Sequence, residues 1–161
     1  MKKYNILFLC KHNASRSIIG EVLANSHISR RFVGYSAGID PVGEVSIYAK
    51  EIAQECGYPV ESLRCKSWDE FAQYDSIKMD IIITVCEMAN EARGSISPYW
   101  PGNPITAKWS FEDPSLVNGS TELKRRAYKK VKLELHRRLD ILASLPSSAL
   151  TQEILELIHS D

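Results

Sequence analysis

The feature that most constrains this chain is a short run, "ILFLC" at Ile6–Cys10, which is apolar throughout and leads into a helical pattern. A strand with one wet face alternates apolar and polar residues. A continuous apolar run of this length suits a strand covered on both faces. A strand is therefore expected over Asn5–Cys10, inside a sheet with layers on either side. Ile18, Ile19, Val22 and Leu23 follow at helical spacing, so the unit opens as strand, loop and helix.

The pattern then recurs. "RFVGYSA" (Arg31–Ala37) reads as a second strand, stopped by Gly38 and Pro41. "EVSIYAKEIAQECG" has helical spacing through Val45, Tyr48, Ile52 and Cys56 and ends on Gly57, a C-terminal stop. "MDIIITVC" is a third apolar strand, again ending on a cysteine, Cys86. A Pro/Gly-rich loop, "SPYWPGNP", precedes a short strand near Ile105–Trp109. An amphipathic helix is expected over Ser120–Leu145, with Leu123, Ala127, Val131 and Leu135 on its buried side, and a short helix within Leu150–Ile158. This alternation implies βαβ units: an α/β fold in three layers, α/β/α, around a four-stranded parallel sheet.

At 161 residues one domain is expected, with a core over about 1–146 and a helical tail over about 148–160. Twenty basic residues balance twenty acidic ones, so no global charge directs the chain to nucleic acid or to an anionic membrane. The basic residues of the last long helix ("KRRAYKKVKLELHRR") read as a solvated outer face. No segment approaches the roughly 20 apolar residues that span a bilayer. Four cysteines without a secretory signal suggest reduced thiols in a cytoplasm. Neither the cysteines nor the four histidines fall at metal-ligand spacings such as Cys-x2-Cys, so no metal site is expected.

Ligands of open parallel sheets bind at the carboxyl ends of the strands, where Cys10 sits. The loop from Lys11 through His12, Asn13, Ala14 and Ser15 leads into a helix N-terminus, and Arg16 and Ser17 open that helix. Backbone N–H groups of such a loop can cradle an anion, and the helix dipole adds positive character there. The same field favours a thiolate. Arg16 can offer a planar fork of donors to two oxygens of a tetrahedral oxyanion. Asn13 suits the tight turn, and the Ser17 hydroxyl could donate to the thiolate. Together these point to covalent attack on phosphorus or arsenic. His12 carries no catalytic assignment, and Lys11 adds positive charge beside the nucleophile.

"LFLCKHNASRS" resembles the active-site loop of the low-molecular-weight protein tyrosine phosphatase superfamily, and within it the arsenate reductase branch. The similarity extends through "YSAGIDP", "LRCKSWDEF", "DIIITVC", "YWPGNP" and "WSFEDPS". It implies Cys10 as nucleophile, Arg16 as oxyanion clamp, and Asn13 and Ser17 as supports of loop and thiolate. Asp113 matches the aspartate of the family's Asp-Pro pair, which protonates the leaving oxygen. A reductase also needs a second thiol, and Cys86 holds the corresponding "TVC" position. Where the phosphatase branch places tyrosines after Asp-Pro, this chain has Ser115 and Leu116.

The chain also departs from the family. Thioredoxin-coupled relatives carry a third cysteine before "WPG"; here Ser97 stands there, in a lengthened stretch. A serine cannot accept the disulfide. No bound cofactor is expected, but an external thiol reductant is: glutathione with glutaredoxin, or thioredoxin. Cys65 remains a possible substitute, while Cys56 reads as core. The partners implied are arsenate or phosphate and a thiol-redox protein. The alternatives are a phosphotyrosine phosphatase or an inactive oxyanion-binding module.

Overall fold

The computed structural model describes residues 2–86 and 98–158. Four strands form one parallel sheet: β1 (Tyr4–Cys10), β2 (Phe32–Gly38), β3 (Ile81–Thr84) and β4 (Ile105–Lys108), in the order β2-β1-β3-β4. Among the described residues four helices accompany them: α1 (Arg16–Ser26), α2 (Ile47–Glu55), α3 (Thr121–Ser144) and α4 (Gln152–Glu156). No helix among the described residues is long and apolar enough to cross a membrane.

β1 is interior, with β2 on one side and β3 on the other, which accounts for its unbroken apolar run. Ile6, Phe8 and Cys10 point into one apolar cluster together with Ile81 and Ile83. Leu7, Leu9 and Ile82 point into a second, where Trp68, Phe71 and Met79 cover them. The first cluster takes the buried stripes of all four helices. On the second face, among the described residues, a 3-10 turn at Trp68–Phe71 provides the cover. Burying each large aliphatic side chain contributes about 1.5–3 kcal/mol, so both sides of β1 stabilise the sheet.

α1 seats against β1 through Gly20: a Cβ there would lie 2.5 Å from the Phe8 ring. Ser46 caps α2 by accepting the Tyr48 N–H, and Ser120 caps α3 by accepting that of Leu123.

Two expectations shift. β3 ends at Thr84, so Cys86 follows the strand rather than closing it, although the Val85 N–H still donates to Leu9 O at 2.8 Å. On α3 the buried stripe is Tyr128, Val131, Leu135, Leu139 and Leu142, whereas Leu123 is 47% exposed. Leu123 lies in the first turn, against Gly119, ahead of the stripe that packs on α1 and α2.

Candidate active site

The carboxyl ends of three neighbouring strands lead to the residues singled out in the sequence. β1 ends on Cys10, the chain after β3 carries Cys86, and the chain after β4 carries Asp113. All four cysteines are thiols.

The loop after β1 is held from outside by its carbonyl groups. Cys10 O accepts from Ile39 N–H at 3.2 Å, Lys11 O from Asp40 N–H at 2.8 Å, and Ala14 O from Ser46 N–H at 2.9 Å. His12 O accepts twice, from Val42 N–H at 3.3 Å and from the Cys65 thiol at 3.0 Å. With its carbonyl edge turned toward residues 39–46, the loop turns its N–H edge toward the hollow around Cys10 Sγ. There Asn13 N–H donates to the sulfur at 3.3 Å. Asn13 has φ 53°, the left-handed conformation that asparagine tolerates. Gly38 permits the close packing: a Cβ on it would lie 2.8 Å from Lys11 O and 2.9 Å from Asn13 N.

A chain of hydrogen bonds sets the sulfur's environment. Lys66 N–H donates to Asn13 Oδ1 at 2.9 Å, and Asn13 Nδ2 donates to Ser17 Oγ at 2.9 Å. The Ser17 hydroxyl also hydrogen-bonds with Cys10 Sγ, 2.9 Å away, and can donate to that sulfur as a thiolate. Asn13 and Ser17 are fully buried, and Cys10 is 3% exposed.

Arg16 opens α1 and is buried; its Nη1 donates to Phe111 O at 3.2 Å and its Nη2 lies 3.3 Å from Asp113 Oδ2. Asp113 caps a 3-10 turn at Pro114–Leu116, its Oδ1 accepting from Ser115 N–H at 3.0 Å and Ser115 Oγ–H at 2.7 Å. Arg16 and Asp113 are therefore one unit, with Asp113 Oδ2 turned to the guanidinium. Lys11, His12 and Ala14 are half-buried on the rim, and His12 Nδ1 contacts Asp40 O at 3.2 Å. Cys86 is fully buried in the same cluster as Cys10. Ser97 falls outside the described residues.

Several residues far from the loop in the sequence pack around it. Cys65, 53 positions from His12, lies on the outer side of the loop and also accepts from Gly43 N–H at 3.3 Å. Lys66 is buried with Glu21 and Ser36: its Nζ is 3.6 Å from Glu21 Oε1 and donates to Ser36 Oγ at 3.3 Å. Burial pulls the Lys66 ammonium below its ordinary pKa, against the pull of Glu21. Tyr58, which donates to Glu21 Oε2 at 2.7 Å, is raised well above its ordinary value, first by burial and then by that carboxylate. Cys56 is half-buried, packs on the core and lines an adjoining cleft of about 870 Å³. A second cleft, about 1000 Å³, abuts the loop at Ala14 and Ser15 and is flanked by Tyr48, Lys50, Arg64 and Tyr128. Cys10 lines neither; it sits at the bottom of the loop.

Away from this site, His27, His136 and Asp140 converge. Ser29 N–H donates to His27 Nδ1 at 3.2 Å, which leaves the His27 Nε2 proton to donate to Asp140 Oδ1 at 2.7 Å. That tautomer uses the ring as a tether between α3 and the end of α1, with no lone pair turned to a metal.

A parallel sheet that delivers a cysteine into a loop closed by an arginine six residues on defines the phosphatase-like class of thiol–oxyanion proteins. Residues 5–153 match the model of the low molecular weight phosphotyrosine protein phosphatases, and the chain belongs to that family. It is similar to the arsenate reductase of Halalkalibacterium halodurans, 29% identical over 143 residues that cover 89% of this chain and 97% of that one. The crystal structure of an arsenate reductase from Archaeoglobus fulgidus is 26% identical, with TM-score 0.61, over 87% of this chain and 99% of that one. An arsenate reductase in its phosphate-binding state is 25% identical, with TM-score 0.62, over 89% and 98%.

Proposed function

We propose that the chain is an arsenate reductase, one catalytic domain over residues 1–161, with Cys10 as nucleophile and Cys86 as resolving thiol. The observation that carries the reading is the placement of Cys86. β3 lies directly beside β1, Val85 N–H is tied to Leu9 O at 2.8 Å, and the next residue enters the cluster that holds Cys10. Adjacent strands are about 4.8 Å apart, so the two thiols belong to neighbouring exits of the sheet.

In this reading arsenate sits on the N–H edge of the loop, with Arg16 holding two of its oxygens. The Cys10 thiolate, stabilised by Ser17 and Asn13, attacks arsenic, and an oxygen leaves as water on taking protons. Asp113, held beside the anion loop by Arg16 and Ser115, is the general acid that supplies a proton to the leaving oxygen. The Cys86 thiol, giving up its proton, then attacks Cys10 Sγ. The S–S bond forms as the S–As bond breaks, and its electron pair stays on arsenic, reducing As(V) to As(III). Two electrons leave the protein as a Cys10–Cys86 disulfide, which an external thiol reductant must return. With Ser97 in place of a third cysteine, glutathione with glutaredoxin fits better than direct transfer to thioredoxin.

The phosphatase reading shares every step up to the adduct and then needs only water. Against it, Leu116, two residues after the Asp-Pro aspartate's proline, is 74% exposed and offers no aromatic wall for a phenol. Steady-state assays with a small dithiol separate the two readings. Arsenite formation that outpaces hydrolysis of an aryl phosphate supports reduction; aryl phosphate hydrolysis without arsenite assigns the chain to the phosphatases.

A further inference from the structure

Tyr128 lies on α3, 113 residues from Ser15, yet its hydroxyl reaches the loop. Its Oη is 2.8 Å from Ser15 Oγ and 3.0 Å from Ser46 Oγ, and the side chain is buried. The direction of these bonds follows from counting protons. Tyr48 N–H donates to Ser46 Oγ at 3.2 Å, and the Ser46 hydroxyl in turn donates to Tyr128 Oη. A buried phenol that accepts one hydrogen bond still carries a proton that needs an acceptor. Ser15 Oγ is the acceptor within reach. The chain therefore runs from Tyr48 N–H through Ser46 and Tyr128 to Ser15, every donor pointing toward the loop.

Ser15 Oγ then accepts from Tyr128 and keeps its own proton to give. That hydroxyl is not used at the start of α1, where Ser15 makes no side-chain cap. It is buried, on the loop that joins Cys10 to Arg16. We propose that Tyr128 is a positioning residue of this loop: backed by Ser46, it fixes Ser15 so that the Ser15 hydroxyl donates to an oxyanion seated between Cys10 and Arg16. The proposal depends on the loop being an oxyanion site and not on arsenate being the substrate. It is the counterpart of the chain through Lys66, Asn13 and Ser17, which serves the sulfur; this one serves the anion. In both, an outer donor polarises the hydroxyl that acts.

The test is a double-mutant cycle read by calorimetric titration with inorganic phosphate. Tyr128→Phe keeps the ring against Tyr48 and removes only the hydroxyl. Ser15→Ala is expected to weaken phosphate about tenfold, and Tyr128→Phe about three- to fivefold, in the range of single hydrogen bonds to an anion. Because Tyr128 acts through Ser15, the double variant should bind phosphate no more weakly than Ser15→Ala alone. Ser15→Thr should restore most of the affinity. An unchanged dissociation constant in Tyr128→Phe overturns the proposal, and so do losses that multiply in the double variant or a parent protein that binds no phosphate. A purely structural tyrosine would lower the melting temperature and leave phosphate affinity alone. If Tyr128→Phe fails to fold, Ser46→Ala reads the same chain from its outer end, with a smaller loss that vanishes in the Ser15→Ala background. A parent that binds phosphate but forms no arsenite refutes the reductase reading while the cycle still decides this one.

Discussion

β1 and β3 run side by side and each leads to a cysteine, but their exits are built from opposite materials. At the β1 exit the loop carbonyls are fastened outward, and Asn13 and Ser17 place donors on Cys10 Sγ at 3.3 and 2.9 Å. At the β3 exit Cys86 enters the apolar cluster with no exposed surface. The first sulfur is held at the centre of a hydrogen-bonded loop. A thiol with no exposed surface is kept from solvent oxidants. In the proposed mechanism the division suits two steps that must occur in order: attack on the oxyanion, then attack on the adduct.

The sharpest break of this comparison is Cys10→Ser, which should abolish both arsenite formation and aryl phosphate hydrolysis, because both begin with the same sulfur. Cys86→Ser should divide them: arsenite release without an added thiol stops, while aryl phosphate hydrolysis, followed by phenol release, continues. Equal arsenite yields from Cys86→Ser and the parent would erase the distinction between the two exits. Asp113→Asn should lower the turnover of either substrate about a hundredfold, within the span typical of general acids, and leave inorganic phosphate affinity within about threefold. Arg16→Lys keeps the charge and loses the fork, so phosphate affinity measured by titration should fall about thirtyfold, ~2 kcal/mol. Gly38→Ala is the mildest. A Cβ 2.8 Å from Lys11 O pushes on the loop from outside, and urea unfolding should show a loss of about 1–3 kcal/mol, together with weaker phosphate binding.

The sequence made legible what is local. The apolar run of β1, the stop at Gly38, the cap at Ser120 and the Cys10–Ser17 loop all lie within a few residues of the signals that reveal them. The placement of Asp113 beside Arg16, 97 positions apart, was legible only through resemblance to a family. Cys65 behind His12, Lys66 beside Asn13 and Tyr128 against Ser15 were not legible, because each contact depends on how a distant segment packs across the sheet end. The rotation of α3 shows the same limit. Periodicity alone placed Leu123 on the buried side, while packing selects Tyr128 and puts its hydroxyl at the loop. The segment after Cys86, where Ser97 replaces an expected cysteine, lies outside the described residues.

The central claim is that the two exits share one electron-transfer step, and a single turnover tests it most directly. Fully reduced protein is mixed with excess arsenate and no external thiol, arsenite is quantified, and disulfides are mapped by mass spectrometry. The account predicts about one arsenite per chain and a Cys10–Cys86 bridge. No arsenite until glutathione and glutaredoxin are supplied, with Cys86 still a thiol, would contradict it and leave Cys86 a structural residue.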